Sequence, residues 1–115
     1  MKITEEAKKK IVELMEANKK IMPEHTFFLR ITADTDADNN LKQQTYFDYE
    51  IRSNDRLLRF KDFDLRIDEE SYPHLKHATL EYYDEENKTG FFLDNPEFHG
   101  HSGENVIWFF QPTGV

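Results

Sequence analysis

The chain has 115 residues and 13.8 kDa, a length that fits one domain over residues 1–115. Its net charge of −8 argues against general nucleic-acid or anionic-membrane binding, because both favour a basic surface. It contains no cysteine, which excludes disulfides, thiol nucleophiles and thiolate ligands; with 37% hydrophobic and 14% aromatic residues it is also too apolar to read as disordered.

The opening MKITEEAKKK lacks the apolar core of a secretory signal. No stretch approaches the roughly 20 apolar residues that cross a bilayer, so a cytoplasmic location is the default expectation. Thr4 is placed to cap a helix, and Glu5 and Glu6 suit its first turn. Ala7, Ile11, Leu14, Met15 and Asn18 recur at helical spacing, which predicts a helix over 4–20 with one buried stripe. Lys8-Lys9-Lys10 and Lys19-Lys20 lie beside Glu5, Glu6, Glu13 and Glu16, and read as a solvated, salt-bridged face. Pro23 ends the run.

The period then changes to two. Phe27, Leu29, Ile31 and Ala33 share a face in FFLRITA; Thr45, Phe47, Tyr49 and Ile51 share one in TYFDYEIR; Phe63, Leu65 and Ile67 share one in FDLRID. Residues 56–60, 78–83 and 91–93 read as further strands. Turn signals stand at Asn54-Asp55, from Asn87 to Gly90, and at Asp94-Asn95-Pro96. Residues 68–77 predict a short helix, with Asp68 as cap and Glu69 and Glu70 in its first turn. VIWFF, residues 106–110, would be an aggregation hazard if exposed, and is expected as a covered strand within the domain or, second, as a contact to another copy. The expected class is α+β and β-rich.

Few residues advertise chemistry. HGHSGE, residues 99–104, presents His99 and His101 around a glycine; two neutral imidazoles suit zinc or iron. A third ligand could come from Glu97, Glu104 or the acidic loop, and the competing reading is a surface loop. DTDADNN places Asp34, Asp36 and Asp38 at alternating positions of a calcium-loop pattern, but Asn39 stands where glycine is needed and Thr45 where a bidentate Glu belongs. A solvated acidic loop is favoured there. His74 and His77 could share a helix face, in surface or half-buried roles, and His25 has no evident partner. No phosphate loop, nucleophile elbow or Ser/His/Asp arrangement is found, so no catalytic or cofactor-binding residue is named.

Several phrases carry a resemblance. MKITEEAKKKIVELM, FFLRI, TYFDYEI, the stretch from Asp55 through FDLRIDEESYPHL, then ATLEYYDEE and GFFLDNP are similar, in that order, to the HesB/IscA-like proteins, the A-type carriers of iron–sulfur cluster assembly. The resemblance covers about residues 1–104 and implies two small mixed sheets curled into a sandwich or half-barrel, an N-terminal helix, a short second helix and a tendency to dimerise. It also implies a ligand set that this chain lacks: one thiolate in the loop after the first long strand, here the longer acidic 34–44, and two in a Cys-Gly-Cys, here His99 and His101. Iron–sulfur clusters prefer soft, anionic sulfur, and even His-ligated Rieske centres keep two cysteines.

The resemblance therefore implies a non-catalytic binding or regulatory module without a tightly held cluster, with protein partners among iron–sulfur assembly components or a second copy; the acidic charge and the lack of a long apolar run add the expectation of neither nucleic acid nor membrane. The alternative is a mononuclear iron or zinc binder using His99, His101, Glu104, Asp34, Asp36 and Asp38. An enzyme using carboxylate or histidine acid–base groups is the third reading.

Overall fold

The computed structural model describes residues 1–38 and 41–96, together with the strand backbone at 106–107 and 109–110. In chain order the elements are β1 (Lys2–Ile3), α1 (Glu5–Ile21), β2 (Phe28–Thr35), β3 (Leu41–Asp48), β4 (Asp55–Arg59), β5 (Asp64–Asp68), α2 (Tyr72–Leu75), β6 (Thr79–Glu85), β7 (Lys88–Asp94), β8 (Val106–Ile107) and β9 (Phe109–Phe110). One sheet has the order β1-β6-β7-β8 and the other β4-β5-β2-β3-β9. Both are mixed: β1 runs parallel to β6, β2 to β5 and β3 to β9, and the remaining pairs are antiparallel. This is the β-rich α+β architecture expected, with one long helix and one short one.

Local chemistry explains α1. The Thr4 side chain accepts from the Ala7 N–H at 3.3 Å, Glu5 and Glu6 fill the first turn, and Lys19 and Lys20 the last, all favourable to the helix dipole. Ala7, Ile11 and Asn18 are buried, with Leu14 and Met15 half-buried beside them. The lysine-rich face is ion-paired as expected, Lys8 to Glu5 and Lys10 to Glu13, each at 3.2 Å. The same two lysines also sit over the rings of Phe60 and Tyr82, so their stems cover apolar surface.

Between the helix and the two sheets lies one core, including Ile3, Ile11, Leu29, Ile31, Leu65, Ile67, Leu75, Leu80 and Leu93. Each fully buried aliphatic side chain there contributes about 1.5–3 kcal/mol.

Four expectations need correction. The strand read in TYFDYEIR begins earlier, at Leu41, and stops at Asp48. The Asp48 carboxylate accepts the N–H groups of Tyr49 and Glu50 at 2.8 and 3.1 Å and so draws the chain out of the ladder, leaving Tyr49 and Ile51 40% and 69% exposed. The helix over 68–77 shrinks to Tyr72–Leu75: Asp68 closes β5, and its carboxylate takes both the N–H and the hydroxyl of Ser71 instead of capping a longer helix. The turn signalled from Asn87 to Gly90 is shorter, because β7 already starts at Lys88. VIWFF is not one strand but contributes to both sheets, 106–107 beside β7 and 109–110 beside β3.

Candidate functional site

The β2–β3 ribbon carries charged groups at both ends. At its turn, Asp34 stands in register with Lys42, and the acidic residues bond to their own backbone: Asp34 Oδ1 accepts from Thr35 N–H at 2.8 Å and Asp36 Oδ1 from Asp38 N–H at 2.9 Å. Beside this turn lies an open groove of about 600 Å³, lined among others by Asp34, Lys42, Arg52, Asp68, Glu70 and Ser71. Both signs of charge line it, so it does not present a field of one sign.

One joint sets the end of β2 against this groove. Beyond the two registered pairs with β5, Leu29–Leu65 and Arg30–Arg66, the Ala33 N–H is satisfied by Ser71 Oγ at 2.9 Å, and the Ser71 hydroxyl donates to Asp68 Oδ1 at 2.7 Å. A side chain thus continues the sheet ladder where the strand runs out.

The opposite end is organised around Arg30, which is completely buried. Its Nε donates to Asp48 Oδ2 at 2.8 Å; its two terminal nitrogens donate to the two Asp55 carboxylate oxygens at 2.7 and 2.8 Å, and one of them also to the Glu50 carbonyl at 2.9 Å. Arg66 approaches Asp55 at 3.8 Å, and both guanidiniums lie over the Phe28 ring. The hydrogen bond to Asp55 raises the Arg30 pKa above its usual value, and the bond from Arg30 holds the Asp55 carboxyl below its own. Burial pushes the Asp48 carboxyl up, but bonds from the Glu50 N–H, the Arg30 guanidinium and the Tyr49 N–H leave it lowered overall.

This second cluster escapes a reading of β2 as a one-faced strand. Phe28 and Arg30 are as buried as Leu29 and Ile31, because residues 49–55 fold over the outer face. The one hint in the sequence is an arginine amid the apolar run FFLRI, followed by aspartates 18 and 25 residues later.

Of the expected site residues, Asp34, Asp36 and Asp38 lie at the ribbon's turn, whereas His99, His101, Glu104 and Glu97 lie outside the described residues. His74 sits half-buried in α2, with its carbonyl accepting from Asn95 Nδ2 at 2.6 Å; His77 follows the helix and is exposed. His25 does have a partner, stacking on Tyr49 with ring centroids 3.8 Å apart. Among the described residues, no three His, Asp or Glu side chains are grouped to hold a metal ion. No helix among them is long and apolar enough to cross a membrane.

No family model and no curated protein sequence matches the chain. Solved structures do. SufA of Escherichia coli, involved in the biosynthesis of iron–sulfur clusters, superposes with a TM-score of 0.68 at 17% identity, over 84% of this chain and 80% of that one. IscA, in a crystal structure with a [2Fe-2S] cluster, gives 0.67 at 16% identity over 94% of both chains. A protein from Aquifex aeolicus, solved in solution by NMR, gives 0.56 at 23% identity over 84% and 91%. Two mixed sheets, a long first helix and a short second one make the fold of this chain that of the iron–sulfur assembly proteins SufA and IscA.

Proposed function

We propose that this chain is a non-catalytic, cytoplasmic binding or regulatory module that uses the iron–sulfur carrier architecture without carrying a cluster, and that its partners are components of iron–sulfur assembly. One observation carries the reading: a fold matching IscA over 94% of both chains is built from 115 residues with no cysteine. The donor chemistry does not fit the cargo, since iron bridged by sulfide is held by thiolates and this chain offers none. Anaerobic incubation with ferrous iron and sulfide, followed by desalting and visible spectroscopy, is the test. The expected result is no stoichiometric charge-transfer absorbance; a stoichiometric cluster spectrum would overturn the reading.

A second reading, a mononuclear iron or zinc site, is supported by the donor set of the sequence, two imidazoles around a glycine and a carboxylate-rich turn. In this reading His99, His101 and Glu104 supply nitrogen and oxygen donors, joined by Asp34, Asp36 or Asp38. Metal analysis of the purified protein beside a His99→Ala/His101→Ala variant checks it: metal lost only from the variant supports the site, and equal, negligible metal in both removes it.

A further inference from the structure

The sheet β4-β5-β2-β3-β9 ends on β4, and among the described residues no strand pairs with the outer side of β4. The ladder with β5 fixes what that side offers. The Phe60 N–H donates to the Phe63 carbonyl at one end of the pair, and the Glu69 N–H to the Asn54 carbonyl at the other. With the register between them, this alternation turns the backbone groups of Arg56 and Leu58 to β5 and those of Leu57 and Arg59 outward. The Asp55 N–H already donates to the Arg52 carbonyl at 3.1 Å, so the open edge starts after it. The strand itself is anchored, with Leu58 and Phe60 packed on the core.

Charge distinguishes this edge from the rest of an acidic chain. The Asp55 carboxylate is enclosed with Arg30, so the exposed charges of β4 are Arg56 and Arg59. Arg59 stands opposite Asp64 in the ladder but forms no ion pair among the described residues. Arg56 lies over the Tyr72 ring at 4.1 Å and has one exposed partner, Glu69, at 3.3 Å. Past the end of the strand, an open groove of about 410 Å³ has Val12 and Phe63 as apolar surface and Lys8, Lys9 and Lys61 against Glu5 and Asp62. Glu5 is already bonded to Lys8, so the remaining balance there is also positive.

Charged residues on an edge strand keep other strands away, and against a second copy these do so: β4 beside β4 would crowd four arginines onto one short ladder. A strand of opposite charge meets no such barrier. We infer that β4 is an acceptor edge for an extended acidic segment of a partner protein, which joins the sheet as a further strand. Leu57 and Arg59 supply the main-chain bonds, Arg56 and Arg59 receive the carboxylates, and the end of the segment runs over the Val12–Phe63 groove towards Lys9 and Lys61. Neither the edge nor its charge depends on whether that partner belongs to iron–sulfur assembly.

A fluorescein-labelled peptide of alternating valine and glutamate is the probe, titrated with the full chain and read by fluorescence anisotropy. Binding with a dissociation constant of about 100 µM or tighter is expected, and binding at least tenfold weaker for the valine–lysine counterpart. Arg59→Glu should weaken binding of the glutamate peptide at least tenfold with unchanged circular dichroism, since the side chain is exposed. Leu57→Pro removes an outward N–H but none of the bonds to β5, and should weaken it as much. Amide exchange at Leu57 and Arg59 should slow when the glutamate peptide is added to the native chain. No binding, equal binding of the lysine peptide, or binding indifferent to Arg59→Glu would each overturn the inference. So would protection of Leu57 and Arg59 that grows with chain concentration in the absence of peptide, which would assign the edge to a second copy.

Discussion

The two ends of the β2–β3 ribbon use the same chemical groups for opposite purposes. At one end Asp48 and Asp55 are bound to the fully buried Arg30, and the Asp55 side chain is itself fully buried. At the other, Asp34 and Asp36 accept from backbone N–H groups one and two residues further along their own turn, on the exposed side. Carboxylate count alone does not distinguish these ends. Burial and the identity of the donor do: a desolvated ion pair is costly to break, whereas an exposed carboxylate bonded to a backbone N–H is screened by water.

The largest expected effect tests the buried end. Asp55→Ala leaves the Arg30 guanidinium without its bidentate partner in a desolvated site, and should lower the unfolding free energy by about 3–5 kcal/mol. Urea titration with an unchanged m-value would measure it. A loss no larger than that of a surface ion pair would mean that the two ends are energetically alike.

Part of the same energy can be removed reversibly with acid. Asp48 and Asp55 both have folded pKa values below their unfolded ones. Their contribution is therefore complete above the unfolded value, about 3.9, and is lost as pH falls through the lower folded values. Chemical denaturation across the range from neutral to about pH 2 should show this decline in the native chain. In Asp55→Ala the decline should be shallower, because one of the two depressed carboxylates is gone.

Ser71→Ala probes the joint at the turn end. Removing the hydroxyl leaves the buried Ala33 N–H without its acceptor, at a cost of about 1–3 kcal/mol. Amide exchange at Ala33 should accelerate more than at Leu29, which lies deeper in the registered pairing with β5.

What the sequence made legible follows from how local each cause is. The first helix could be read because Thr4, the acidic first turn and the Ala7–Ile11 stripe act within one segment. The inner faces of β2 and β5 could be read because alternation reports one buried side. The Arg30 cluster could not: it joins β2 to residues 48 and 55 across the sheet, and alternation assigns Arg30 to solvent. The end of β3 and the shortness of α2 share a subtler cause. In each an aspartate, Asp48 or Asp68, takes backbone N–H groups of the residues after it, a competition that hydrophobic periodicity does not report. At the candidate metal site Asp34 and Asp38 are exposed and Asp36 is half-buried, and the acidic and histidine halves together remain a proposal.

The smallest effect on stability is expected where charge is densest. Replacing Asp34, Asp36 and Asp38 together by Asn keeps an amide oxygen where a carboxylate oxygen accepts the Thr35 and Asp38 N–H groups, so these two bonds persist. The net charge goes from −8 to −5, which relieves repulsion within the turn and offsets any weakening of those bonds. The unfolding free energy should therefore stay within about 0.5 kcal/mol of the native value. If the turn contributes oxygen donors to a metal, metal content in the same triple variant should fall while the urea midpoint stays fixed. A shift in the midpoint comparable to that of Ser71→Ala would show that the acidic turn is a structural element like Arg30's end of the ribbon, and that its carboxylates are committed to the fold.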